Sequence, residues 1–186
     1  MQLLSISRVV QFHVPSLEEY LDYLHSIKKS IVEIENQEFY HDHSQQNNIT
    51  LVLNYSNDIY QTQRNLLTKS TFSKKEFELI PVSEHPISPG KSNFFVWTRN
   101  ILAHRDSLEK LMQNFEKEYE SDYFKDTVYS VKIYREEIGS LVSSFINWKS
   151  DNVYFAHQNS SPILKFEESE ILHKERYSLL VKFKIN

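Results

Sequence analysis

The sequence predicts a mainly α protein, a helical bundle with a small β element drawn from the N- and C-terminal segments. Three observations predict it. Apolar residues recur at three- and four-residue spacing over long stretches, glycine occurs only at Gly90 and Gly139, and clear alternation is strongest near the two chain ends. Scarce glycine favours long helices over frequent tight turns. With 186 residues, 40% apolar and 25% charged, the chain has the length and balance of one globular domain with a sizeable core. The expected organisation is a single domain over 1–186, with a helical core at about 15–150 and a β-rich extension at about 151–186.

At the N-terminus Leu4, Ile6, Val10, Phe12 and Val14 share one parity, while Ser5, Ser7, Gln11 and His13 share the other, which is the pattern of a half-buried strand. Pro15 ends it, and Ser16 with Glu19 forms a capping box that opens a helix. Leu17, Leu21, Leu24, Ile27, Ile31 and Ile34 carry that helix to about residue 38. His41 to Asn48 reads as a polar loop. A second helical pattern runs from about Leu51 to Leu67 through Tyr55, Ile59, Gln63 and Leu66. Its start stays open, because Ile49, Leu51, Leu53 and Tyr55 also alternate. Ser73 and Glu76 mark a short capped turn, and Pro81, Pro86, Pro89 and Gly90 mark a linker-like loop.

The third main helix is expected from about Ser92 to Glu120, carrying Phe94, Trp97, Ile101, Leu108, Leu111, Phe115 and Tyr119. A fourth is expected over about 127–149, where Val131, Tyr134, Ile138, Leu141, Phe145 and Trp148 repeat at the same spacing. Short apolar runs at Tyr154–Phe155, Ile163–Phe166 and Leu179–Ile185 are β-like, and no internal repeat is visible.

Composition excludes several chemistries. Without cysteine there is no disulfide, thiolate catalysis or Cys-ligated zinc. No apolar run approaches the roughly 18–20 residues that cross a bilayer. The first residues lack a basic segment followed by an apolar one, so a cytoplasmic location is expected by default. A net charge of −4 gives no general field for polyanions, so a nucleic-acid site has to be local.

The strongest chemical candidate is Arg99-Asn100-Ile101-Leu102-Ala103-His104, followed by Arg105 and Asp106. Arginine is a permanent planar cation suited to phosphate, and histidine titrates nearest neutrality. Spacing alone is weak evidence, since Arg8 and His13 repeat it on a predicted strand, where residues five apart face opposite ways. On the expected third helix, His104 falls in the apolar stripe with Trp97, Leu108 and Leu111, and Asn100 lies one turn before it. Arg99 lies about 140° away from His104, so it joins them only through an irregular helix start or a second subunit.

Arg-Asn-x-x-x-His on a bundle helix resembles the signature of the HEPN (higher eukaryotes and prokaryotes nucleotide-binding) superfamily. Ala103-His104-Arg105-Asp106 is similar to members found in abortive-infection and toxin systems. The resemblance implies an all-α core, a homodimer with paired motifs, and metal-independent endoribonuclease activity with no cofactor. It implies His104 as general acid or base, Arg99 on the phosphate, Asn100 orienting either group, and Arg105 and Asp106 as binding residues. The implied partners are RNA, a second copy and an antitoxin or other phage-defence protein, with no membrane. Asp106 stands where members silenced by a nucleotidyltransferase carry tyrosine, so silencing at that position is not expected.

The rival reading is a non-catalytic helical interaction or RNA-binding module in which His104 is a satisfied core residue. His41-Asp42-His43 offers possible metal-ligand types but lacks distant partners, so a solvated loop is expected and no metal is assigned. Lys28-Lys29 and Lys74-Lys75 are basic pairs that suit phosphates or solvent equally.

Overall fold

The computed structural model describes residues 6–31, 36–55, 57–69, 71–102, 107–136, 141–157 and 171–183. Two compact units make up the chain: unit 1 is Met1–Ile80 with Leu179–Asn186, and unit 2 is Pro81–Ser178.

Unit 1 starts with strand β1 (Ile6–His13), where the alternating pattern placed it. Helix α1 (Leu17–Ile27) follows, with Ser16 as N-cap accepting from the Glu19 amide at 3.4 Å. Glu18 and Glu19 in its first turn complement the helix dipole. The helix ends at Ile27, one 3₁₀ turn (Lys28–Ser30) follows, and strand β2 occupies Asn36–Asp42. Strand β3 (Asn48–Tyr55), helix α2 (Asn57–Thr68) and strand β4 (Lys74–Pro86) complete the order. The β2–β3 turn is closed by an aspartate rather than a glycine. Asp42 Oδ1 accepts from the Ser44 amide at 2.8 Å, the Ser44 hydroxyl at 2.6 Å and the Gln45 amide at 3.1 Å.

Strand neighbours in this unit run β4-β1-β3-β2, with the last residues of β8 (Ile171–Phe183) pairing onto β2. β1 is antiparallel to both β3 and β4, and β2 is antiparallel to β3. Val10, Phe12, Leu51 and Leu53 face the helices and join Tyr20 and Leu24 of α1 and Leu67 of α2 in one buried core. The Phe12 and Tyr20 rings meet edge-on at 5.3 Å. Full burial of a side chain such as Leu24 stabilises the unit by about 1.5–3 kcal/mol.

Unit 2 repeats the plan. Strand β5 (Phe94–Leu102), helices α3 (Ser107–Tyr119) and α4 (Asp122–Thr127), strands β6 (Val128–Glu136) and β7 (Leu141–Trp148), helix α5 (Asp151–His157) and β8 follow in order. Strand neighbours are β8-β5-β7-β6-β4. Each unit is therefore a β-α-β-β-α-β ferredoxin-like motif, with its strands in the same relative order. Gly90, in the turn before β5, has φ +114°, and a Cβ there would stand 2.7 Å from the Tyr129 ring, so the position requires glycine.

The expectation of a mainly α helical bundle is thus corrected. Ser92–Glu120 is a strand followed by a helix, and 127–149 is two paired strands, β6 and β7. Three-four spacing misled because these strands are buried on both faces. Phe94, Phe95, Val96, Trp97 and Thr98 are all 8% exposed or less, so apolar residues fall at every spacing, the helical one included. Dense β-branched and aromatic residues then settle the strand. Pro81 and Pro86, read as linker, lie within β4. Among the described residues, no helix is long and apolar enough to cross a membrane.

A candidate functional site on the second sheet

Strand alternation sorts β5 into two faces. Phe94, Val96, Thr98, Asn100 and Leu102 point to the helix side, because the Phe94 ring lies 5.6 Å from Tyr154 of α5. Trp148 of β7 meets the same tyrosine at 5.2 Å. Phe95, Trp97, Arg99 and Ile101 point the other way.

On the side away from the helices, Arg99 Nε donates to Glu136 Oε1 at 2.8 Å, and Arg99 Nη2 reaches the same oxygen at 2.8 Å. Each side chain is only 12% exposed, so this pair is stronger than a surface one and costlier to break. Ser143 is directly opposite Arg99 on one flank and Tyr134 on the other. Its hydroxyl is buried and has no hydrogen-bond partner. Trp97 stacks on Phe145 at 5.4 Å, and Tyr134 meets Phe145 edge-on at 5.8 Å. An aromatic wall thus leads to a polar end formed by Arg99, Glu136 and Ser143.

On the helix side, Asn100 is 3% exposed and its Oδ1 has no donor. Val142 is its cross-strand partner, and Thr98 pairs with Ser144 next along the ladder. An unpaired buried carbonyl oxygen costs about 1–3 kcal/mol, and an incoming hydroxyl or N–H group would recover that loss.

The sequence motif fares differently here. Arg99 and Asn100 are neighbours on a strand and project from opposite faces, so they do not converge on one phosphate. His104, Arg105 and Asp106 lie outside the described residues. Asp42 spends its carboxylate on the turn, and among the described residues no cluster of three metal-ligating side chains occurs. Lys28 and Lys29 form the 3₁₀ turn, while Lys74 Nζ donates to Thr68 Oγ1 at 3.4 Å. Sequence reading missed Glu136, Ser143 and Tyr134. No local spacing links them to Arg99; only the pairing register of three strands does.

No protein-family model matches the chain, and no curated protein matches it. Its fold is matched by solved structures. An anthrone oxidase-like protein aligns at TM-score 0.68 and 9% identity, covering 98% of this chain and 93% of its own. A monooxygenase-like protein from Listeria innocua aligns at TM-score 0.60 and 15% identity, covering 97% and 96%. A heme-degrading enzyme from Listeria monocytogenes aligns at TM-score 0.55 and 12% identity, covering 92% and 97%. The shared feature is the fold, and it overturns the HEPN resemblance, which requires an all-α core. The endoribonuclease, the toxin or abortive-infection role, the RNA and antitoxin partners and the homodimer with paired motifs rested on that resemblance and fall with it.

Proposed function

We propose that this chain is an oxygen-dependent oxidoreductase of the monooxygenase type, acting on a small aromatic molecule that carries a hydroxyl or enol. The observation that carries the reading is the unpaired Asn100 Oδ1, buried on the helix side of the second sheet. The ferredoxin-like fold shared with oxidative proteins supports it. In this role Asn100 accepts a hydrogen bond from the substrate hydroxyl and fixes the ring in place, while surrounding apolar residues such as Val96 and Val142 exclude water. When a methylene carbon is oxidised to a carbonyl, one atom of O2 enters the product and the other leaves as water. All four electrons then come from the substrate carbon. A cytoplasmic setting, expected from the sequence, belongs to the same proposal.

No heme is assigned, because β5, β6 and β7 offer no histidine as an axial donor. The cavity beside α1 in unit 1 measures about 90 Å³, far smaller than a porphyrin needs, and its lining includes no histidine either. No step is routed through that group.

Anthrone is the probe. Oxygen uptake above the protein-free rate, with one labelled oxygen atom in the product under ¹⁸O₂, is expected of the purified chain. Asn100→Ala is expected to lower kcat/KM by about 10- to 100-fold with the fold retained by circular dichroism, since its Oδ1 supports no hydrogen bond in the fold. Uptake no faster than the blank, or an unaltered Asn100→Ala, overturns the proposal.

A further inference from the structure

Unit 1 holds a cavity of about 90 Å³ whose lining includes Tyr20, Tyr23, Phe72, Val14, Glu19 and Lys69. Three aromatic rings form its walls. Tyr20 lies 6.5 Å from Tyr23 and 6.4 Å from Phe72, and Phe72 stacks on Phe12 at 6.0 Å. Both phenols are turned away from use inside the cavity. The Tyr20 hydroxyl donates to Leu67 O at 2.7 Å and the Tyr23 hydroxyl to Leu66 O at 2.8 Å. What the tyrosines offer a guest is therefore ring surface. Burial, with Tyr23 nearby, holds the Tyr20 phenol in its neutral form well above the usual tyrosine range. A phenol that donates its proton also leaves its ring richer in electrons, which strengthens attraction for a cation.

The chain already shows what such a surface binds. Lys69 Nζ sits over the Tyr23 ring, 3.9 Å from its centroid. Lys69 holds this position from a backbone φ of +41°, a left-handed conformation that side-chain-bearing residues seldom adopt. Glu19 lines the same cavity and has no ion pair among the described residues. Rings plus one carboxylate suit an organic cation, and the volume suits a group the size of a methylated ammonium.

We propose that this cavity is a binding site for a small organic ammonium, with Tyr20, Tyr23 and Phe72 as cage, Glu19 as counter-charge and the Lys69 ammonium as a built-in competitor. The guest takes the Tyr23 face and Lys69 swings out to solvent. The site is independent of the second sheet, and its ligand is chemically unrelated to the aromatic substrate proposed there.

The test is tetramethylammonium chloride titrated into the full chain with ¹³C-labelled aromatic rings, read by NMR against sodium chloride at equal ionic strength. Saturable shifts of Tyr23 and Phe72 with tetramethylammonium alone are expected. Lys69→Asn, which tolerates the left-handed backbone and cannot reach the ring, is expected to bind about three- to tenfold tighter, because the competitor no longer occupies the competent state. Glu19→Gln is expected to weaken binding by a similar factor. Absence of saturable shifts in both wild type and Lys69→Asn overturns the proposal. So does saturable binding of sodium butyrate that Lys69→Asn abolishes, since that would identify an anion site built on Lys69.

Discussion

The two units share one β-α-β-β-α-β plan and spend it differently. In unit 1 the helix-facing positions of β1 and β3 include Val10, Phe12, Ile49, Leu51 and Leu53, each at most 4% exposed, and the charged Arg8 on the same face is ion-paired with Glu78 at 3.3 Å. In unit 2 the matching face starts with Phe94 and Val96 but continues through Thr98 and Asn100, opposite Ser144 and Val142. The other face of that sheet adds the buried, unpartnered Ser143 hydroxyl. On the first sheet the charged groups of the helix side are ion-paired, whereas Asn100 Oδ1 and the Ser143 hydroxyl of the second sheet have no hydrogen-bond partner. Where a duplicated architecture carries its unpaired polar atoms is the better guide to function than the architecture itself.

The contrast can be broken or sharpened by denaturation experiments. The largest effect is expected in unit 1, where Leu51→Ala should cost about 2–5 kcal/mol in urea unfolding, because its buried site has little room to collapse. A cost near zero would erase the distinction between the units. Next comes the pH dependence contributed by Tyr20, whose ordinary value of 10.0 is raised in the fold, chiefly by burial. Below pH 10 the phenol is protonated in both folded and unfolded chains, so its contribution is fully present. Above it the unfolded chain ionises first, and stability should fall by up to about 1.4 kcal/mol per pH unit. Tyr20→Phe should flatten that component of the slope while costing stability at neutral pH, since Leu67 O loses its donor. Unfolding curves at pH 8 and pH 11 for both proteins would decide it. The smallest effect is expected at Ser143→Ala, neutral or stabilising by about 1 kcal/mol at most, because no hydrogen bond is lost and an unpaired hydroxyl is removed. A loss above that size would mean Ser143 is structural.

Local signals in the sequence read true where one residue or one face decides. Alternation found β1, and the Ser16–Glu19 box found the start of α1. They failed where burial is two-sided. Val131, Tyr134, Leu141, Phe145 and Trp148 fit a helical stripe, yet Val131 and Tyr134 sit on β6 and the others on β7, across a reversal. Few glycines did not mean few turns, because Asp42 closes one with its side chain. The same reasoning that set aside Arg8 and His13, residues on a strand facing opposite ways, applies to Arg99 and Asn100 once β5 is recognised. Glu136, 37 residues from Arg99 in sequence, was beyond any local pattern. Neither was the structural repeat legible, since two copies can keep a shared topology with different side chains.

Carrying both copies on one polypeptide has a genetic consequence. In a symmetric dimer of such motifs every mutation is felt twice, so a polar residue introduced for chemistry weakens both cores at once. A tandem chain takes each mutation once. Asn100 and Ser143 therefore stand on the second sheet with no counterpart of theirs weakening the core around Leu51 and Leu53.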